Sequence, residues 1–308
     1  MRSFRTYQEI LLKRGIRYSF HEAWKKIQRF HFIRDNRILE LQNEYSAYRH
    51  LRKYARALKH NTLLNKELPP PINPYPDKIW VAWLQGEEQA PPLVKKCLAS
   101  IRQHAAGREV VVITDDNMAQ YVDFPEYILR KKAKGRISNT HFSDLLRIFL
   151  LAQYGGIWID ATVYLTAPIP EYILNAPLFC YKSPVAAGKI KSSSWFIAAE
   201  RRNDIIVSTK TLLEEYWKRK NYLQHYYLFH LLFAVAIDSS AELTRQWQAV
   251  PNFNSANPHV LQSELGMPYS PARWEQIRSF APMHKLTYKL SREVYECPDT
   301  FLQMILNS

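Results

Sequence analysis

The sequence predicts an α/β fold built on a parallel sheet, and three consecutive stretches carry that expectation. KIWVAWLQG (78–86) is apolar and ends in glycine, as a first core strand would. PPLVKKCLASIRQHAAG (91–107) places Leu93, Cys97, Leu98 and Ile101 on one helical face, opens with proline and closes near Gly107. EVVVITDDN (109–117) is a β-branched run ending in acids, hence a second buried strand. Strand, helix, strand is a βαβ unit, and in such sheets ligands sit outside the carboxyl ends of the strands. That puts Trp83, Gln85 and Gly86 at the mouth of a site, with Asp115 and Asp116 near it. These two aspartates read as a turn followed by a helix cap at 116.

Ahead of the sheet the chain reads as helical. Residues 38–60 set Leu41, Tyr45, Tyr48, Leu51, Ala55 and Leu58 at helical spacing opposite a charged face, and residues 6–33 read as one or two further helices. ELPPPINPYPDK then carries proline at 69, 70, 71, 74 and 76. Proline fixes φ and removes donors, so this is an extended connector between a helical arm and the body.

Of the 308 residues, 47% are hydrophobic, enough for a sizeable core. The net charge is +14, and residues 1–66 hold 16 Lys+Arg against 5 Asp+Glu, leaving the remainder near balance. A basic arm on a near-neutral body suits an anionic partner such as a phospholipid surface, nucleic acid or a polyanionic product; it also suits a plain solvated helix face. No apolar run is long enough for a transmembrane helix, and MRSFRTYQEILLKRG lacks the pattern of a signal peptide. Cys97, Cys180 and Cys297 lie far apart and read as reduced packing residues. There is no HExxH, and His225 and His230 are not on one helix face, so zinc has little support. The absence of GxGxxG and GxxxxGK[ST] leaves a dinucleotide fold or a P-loop unsupported.

The most informative stretch is HFSDLLRIFLLAQYGGIWIDATVYL (141–165), which buries charges in the greasiest part of the chain. SDLLRIFLLAQY reads as a helix that starts near Ser143 and stops at Gly155–Gly156. Asp144 and Arg147 are three apart on one face and can pair, which lowers the cost of burial. Asp160 ends the short strand IWID with no basic residue near it in sequence. An acid at a strand's carboxyl end suggests a ligand: a metal ion, a sugar hydroxyl or a ribose.

These residues resemble the core of the capsular polysaccharide synthesis proteins, which group with the retaining, DXD-type sugar transferases of glycosyltransferase family 32. IWVAWLQGEEQAPPLVKKCL, VVITDDNMAQYVDFP, KGRISNTHFSDLLR, SSSWFIAAERRN and EYWKRKNYLQHYYLFH agree with the family in consistent order over roughly 75–235. The resemblance implies a GT-A fold, a Rossmann-like α/β sheet that binds a nucleotide sugar, here with a helical N-terminal extension. With the basic arm read at 1–66 and the connector at 67–78, it implies a GT-A catalytic domain at 79–250 and a C-terminal segment at 251–308 that closes the site. Trp83, Gln85, Asp144, Arg147 and Asp160 match donor-binding positions, and Asp160 matches the first acid of DXD. The motif reads Asp160-Ala161-Thr162, so threonine stands where the second acid is usual. A divalent cation, Mn²⁺ or Mg²⁺, on Asp160, Thr162 and His259 is implied, but a hydroxyl is a poorer ligand than a carboxylate and metal dependence stays open.

Transfer of a sugar needs the leaving diphosphate stabilised, by a metal or by lysine and arginine. The cluster RKKAKGR (130–136) is a candidate for the latter, or a solvated loop. The family segment DYFLFH appears as HYYLFH, with His230 retained and His225 in place of the acid, so both are candidate catalytic residues. Trp195 is the aromatic expected near the site. The function implied is a retaining hexosyltransferase moving a sugar, UDP-linked, onto a capsular or other surface polysaccharide or a lipid-linked acceptor. It would work in the bacterial cytoplasm at the inner face of the plasma membrane, held there by the arm. A non-catalytic nucleotide-sugar or glycan-binding protein on the same fold is the alternative. A nucleic-acid-binding protein is a further one, disfavoured by the near-neutral body.

Overall fold

A computed structural model describes residues 36–58, 77–185 and 187–308. Residues 1–35 and 59–66 of the basic arm and 67–76 of the connector lie outside them; Lys78, the connector's expected last residue, already belongs to the first strand.

The first described element, α1 (Asn36–Leu51), runs on into a 3₁₀ turn, Arg52–Ala57. The tighter winding, about three residues per turn, rotates the inward face. Leu39, Ala47, Tyr48, Leu51, Tyr54 and Leu58 are buried, whereas Tyr45 of the expected stripe is exposed. The segment is fastened to the body by polar contacts as well. The Tyr48 hydroxyl donates to Asp238 at 2.5 Å, and the Glu44 carboxylate accepts from the backbone N–H groups of Lys189 and Ile190.

β1 (Lys78–Ala82), α2 (Pro92–Gln103) and β2 (Glu109–Ile113) form the βαβ unit expected, with β1 and β2 parallel in the register Lys78↔Glu109 to Ala82↔Ile113. The turn after β2 is closed by Asn117 rather than Asp116. Its carboxamide accepts from Thr114 N–H at 2.9 Å and donates to the Val112 carbonyl at 2.9 Å.

Beyond α3 (Glu126–Ala133) comes α4 (Asn139–Tyr154), which starts earlier than expected because Ser138 caps it, accepting from His141 N–H. It ends at Gly155 and Gly156, both at positive φ (69° and 100°). A Cβ on Gly156 would lie 2.6 Å from the Lys78 carbonyl oxygen, and one on Gly155 2.6 Å from the Arg201 nitrogen. The double glycine is therefore required twice over, by the conformation and by the close approach of neighbouring backbone.

β3 (Gly156–Ile159) pairs parallel to β1; β5 (Leu178–Lys182) and β6 (Ser192–Ala199) complete a sheet of order β2-β1-β3-β6-β5, with β6 antiparallel to both neighbours. β4 (Val163–Leu165) and β7 (Met283–Lys285) make a separate antiparallel pair. Alternation along β1 divides the core. Trp80 faces a layer containing α1, α4, α5 (Asp204–Arg219) and α6 (Leu228–Ile237), while Ile79 and Val81 face α2. A smaller cluster joins Leu93 and Cys97 of α2 to the C-terminal α7 (Phe301–Asn307). This is the Rossmann-like α/β class predicted, with helices at the N-terminal side. Cys97 and Cys180 are buried, and burial pushes each thiol up to about 12; Cys297 is exposed, so it is not the packing residue expected. No helix among the described residues is long and apolar enough to cross a membrane.

His284 on β7 is fully buried, and burial pushes its pKa down to about 4. The unfolded chain therefore binds a proton, near the usual imidazole value of about 6.5, that the folded chain refuses. Stability should be full above about pH 7 and fall as the pH drops from about 6.5 toward 4, by at most about 1.4 kcal/mol per pH unit for this residue. Urea midpoints across that range should show the fall, and His284→Gln should make it shallower without abolishing it, since buried His230 is shifted the same way.

Candidate active site

A cavity of about 370 Å³ opens at the carboxyl ends of β1 and β3. Ala82 and Trp83 line it from β1 and the residue after it, Trp158 and Asp160 from β3 and its end, and Asp144 and Arg147 from α4. Asp144, Arg147 and Asp160, predicted from sequence to share a site, do so. A groove of about 670 Å³ on α1, lined by Ile38, Tyr45 and Arg49 among others, has no carboxylate in its wall.

Arg147 is the hub. Its Nη1 donates to Asp144 Oδ1 and its Nη2 to Asp160 Oδ1 at 3.0 Å. The guanidinium lies over the Trp158 ring, 4.8 Å from its centre, and is only 3% exposed. Asp144 also faces His141 Nδ1 at 3.4 Å. Burial alone would raise the Asp144 pKa, but Arg147 and His141 outweigh it and hold the carboxyl below its ordinary value. Asp160 is held by three side-chain donors. Beyond Arg147, the Trp158 indole N–H donates to Oδ1 at 2.9 Å and Lys285 Nζ to Oδ2 at 3.0 Å. Burial again pushes the pKa up, and Lys285, Arg147 and these hydrogen bonds drive it well below the usual carboxylate range. The Asp160 backbone N–H is anchored on the Trp195 carbonyl at 2.8 Å.

Lys285 was not foreseen. It lies 125 residues beyond Asp160, in a segment with no motif around it. Strand pairing brings it in: β4 and β7 register Val163 opposite Lys285, and Leu286 N–H donates to the Thr162 carbonyl at 2.8 Å. Lys285 Nζ also donates to Thr162 Oγ1.

The other candidates are divided. Trp83 and His230 line the cavity, and so does Thr162. Gln85 sits on the turn after β1, exposed and outside the lining. His225 stands at the turn before α6, where its Nδ1 accepts from Tyr227 N–H at 3.1 Å, and it too is outside the lining. His259 hydrogen-bonds the Ser255 carbonyl through Nδ1 at 2.5 Å and meets the edge of Trp195. Trp195 packs behind the site, stacked on Tyr181, and contributes its carbonyl rather than its ring. In the 130–136 cluster, Lys131 donates to the carbonyls of Trp217 and Lys220, and Lys132 pairs with Asp115 at 2.8 Å. None of that cluster lines the cavity.

The donor set does not fit a divalent metal. Both Asp160 oxygens and the Thr162 hydroxyl already receive cationic or N–H donors. His259 stands outside the cavity lining. Among the described residues no three His, Cys, Asp or Glu side chains gather into a group that could hold a metal ion. A divalent ion on Asp160 Oδ2 would meet the Lys285 ammonium within a few ångströms, a repulsion of roughly several kcal/mol at an effective dielectric of about 20.

His230 is polar and cavity-lining, yet its Nδ1 has no partner among the described residues; the same holds for Arg147 Nε and Trp83 Nε1. Burial, only partly countered by Asp144, pushes His230 down to about 4. Unmet buried polar atoms cost about 1–3 kcal/mol each, and their collection around one cavity marks it for a polar ligand.

Together these features define an α/β protein with a charged cleft at the carboxyl edge of its sheet. Comparison with known proteins gives its family: residues 26–305 match the profile of the capsular polysaccharide synthesis protein family, and the chain belongs to it. A curated relative, the O-glycosyltransferase braB of Annulohypoxylon truncatum, is 27% identical over 171 residues, 50% of this chain and 41% of that protein. The chain thus spans less than half the length of this relative. Among solved structures, the PaToxG glycosyltransferase is similar at 15% identity and TM-score 0.38, covering 85% of this chain and 97% of that one. The galactosyltransferase LgtC is similar at 11% identity and TM-score 0.33, covering 75% and 94%. Both likenesses are distant, and the fold rests on the strand order above.

Removing Asp144 leaves a buried guanidinium with half its partners. Asp144→Ala should cost about 3–5 kcal/mol by chemical denaturation. Asp144→Leu combined with Arg147→Met should recover a large part of that loss, because the charge goes with its partner.

Proposed function

We propose that the protein is a glycosyltransferase that moves a sugar from a nucleoside diphosphate to a glycan acceptor. The observation that carries this reading is the single Arg147 guanidinium joining Asp144 and Asp160 at the carboxyl end of the parallel strands. Family membership supports it, as does the O-glycosyltransferase relative. The GT-A arrangement fits the observed sheet, with Trp83 on the nucleotide side, Asp144 and Arg147 reading donor hydroxyls, and Arg147 and Lys285 facing the diphosphate.

The transfer proceeds with retention. The bond between the anomeric carbon and the diphosphate oxygen breaks, and its electron pair leaves with the diphosphate. The acceptor hydroxyl forms the new bond on the same face and gives its proton to the departing diphosphate oxygen. No separate protein base is needed, which suits a neutral His230 that hydrogen-bonds a sugar hydroxyl. Tyr226 and Tyr227 border the cavity with 66% and 43% exposure, offering flat apolar faces to an acceptor sugar. A UDP-linked donor and a capsular or lipid-linked acceptor are the substrates that fit the family.

The membrane role falls to residues 1–35, with nine Lys+Arg against three Asp+Glu. Residues 36–58 are part of the packed body, so a deletion running to 66 would tear the core.

A thermal-shift panel of nucleotide sugars should give one donor that stabilises the chain. With that donor, Asp160→Ala should lower transfer by about a hundredfold or more; transfer persisting at wild-type rate would refute the assignment. Deleting residues 1–35 should release the protein from phosphatidylserine vesicles while donor binding stays intact; unchanged vesicle binding would refute the arm's role.

A further inference from the structure

Lys285 is placed by backbone pairing. Val163 and Lys285 are partners in the β4–β7 ladder, three residues past Asp160. Its side chain is 19% exposed and points into the cavity, where Nζ reaches Asp160 Oδ2 and Thr162 Oγ1. We propose that Lys285 is the resident cation of this site, standing where a sugar transferase of this kind would otherwise hold a divalent metal, and that it neutralises the departing diphosphate. The proposal rests on the donor-sugar reading above.

Three observations converge on it. Thr162 occupies the position of the second acid, and its oxygen is used by the ammonium. A threonine hydroxyl is a weak metal ligand but a good hydrogen-bond acceptor for a lysine. The charged groups lining the cavity are two carboxylates, Asp144 and Asp160, and two cations, Arg147 and Lys285, so the cluster is balanced without a metal. No lysine of the 130–136 cluster lines the cavity, which leaves Lys285 beside Arg147 to meet a diphosphate. The ammonium needs to give up no proton: the bond made and the bond broken are those of the transfer itself, and Lys285 holds charge at the leaving oxygens.

The full chain would be titrated with UDP, GDP, ADP and CDP by calorimetry, in EDTA and then with millimolar Mn²⁺, while free Mn²⁺ is followed by electron paramagnetic resonance. The proposal expects at least one nucleotide to bind in EDTA, with Mn²⁺ changing its affinity by less than about threefold and the Mn²⁺ signal of the wild type staying that of the free ion. Lys285→Met should weaken that binding by about tenfold or more, and Lys285→Arg should keep most of it. A wild type that takes up Mn²⁺ through Asp160, losing the uptake in Asp160→Ala, would overturn the proposal; that test needs no Lys285 variant to fold. Nucleotide affinity unchanged in Lys285→Met would also overturn it. If none of the four nucleotides binds the wild type in either condition, the donor-sugar reading falls, and with it the role of Lys285 toward a diphosphate. The Mn²⁺ signal of the protein alone then still decides whether the lysine keeps a divalent ion out.

Discussion

The Asp160 carboxylate is where the three parts of this chain are tied together. Arg147 reaches it from the buried helix, Trp158 from its own strand and Lys285 from a strand near the C-terminus. A carboxylate in a cavity wall, its side chain 26% exposed, is held in one orientation because both its oxygens are filled by donors, and an arginine 3% exposed is tolerable only if its own N–H groups find acceptors. Each therefore fixes the other. The double-glycine turn sets the distance between them, since it lets α4 end and β3 begin without a spacer, so that Arg147 and Asp160 face the same hollow. The cluster adds little net stability of its own, because desolvation consumes most of the attraction; its effect is to hold charged groups in one orientation at a ligand cleft.

Much of this was legible in the sequence because it is local. The βαβ unit announces itself through an apolar run, an amphipathic helix and a β-branched run. Asp144 and Arg147 are one helical turn apart, a spacing that predicts their pairing without a structure. Asp160 stood out because an acid closing a four-residue apolar strand has no structural excuse nearby. The boundaries were less legible. Ser138 competes with Ser143 as a cap, and only the hydrogen bond to His141 N–H decides it. The 3₁₀ turn after Leu51 puts Tyr54 inward in place of Ala55, a rotation that counting by 3.6 residues could not foresee.

What sequence could not reveal is contact between distant segments. One candidate source of positive charge was the dense cluster at 130–136, which precedes the core helix and could equally be a solvated loop. Two of its three lysines instead serve as structural donors: Lys131 satisfies carbonyls at the end of α5 and Lys132 pairs with Asp115. The first lysine of MHKLTYKL, Lys285, looks like any surface cation until strand pairing sets it opposite Val163. The histidines show the same limit. His230 and His225 were read as a pair from one motif, yet the turn before α6 sends them different ways, one into the cavity and one onto a backbone N–H.

The departure at the acidic motif takes on a different meaning in this setting. Read along the chain, Asp-Ala-Thr is a DXD motif that has lost a ligand. Read in space, the threonine is one wall of a lysine seat whose other wall is Asp160. A carboxylate at 162 would add a third negative charge to a cluster that two cations now balance, and would call for a further cation. Threonine keeps an oxygen for the ammonium without adding that charge. The identity of residue 162 and the presence of Lys285 are thus one electrostatic solution, and a change at either position alters what the other must neutralise.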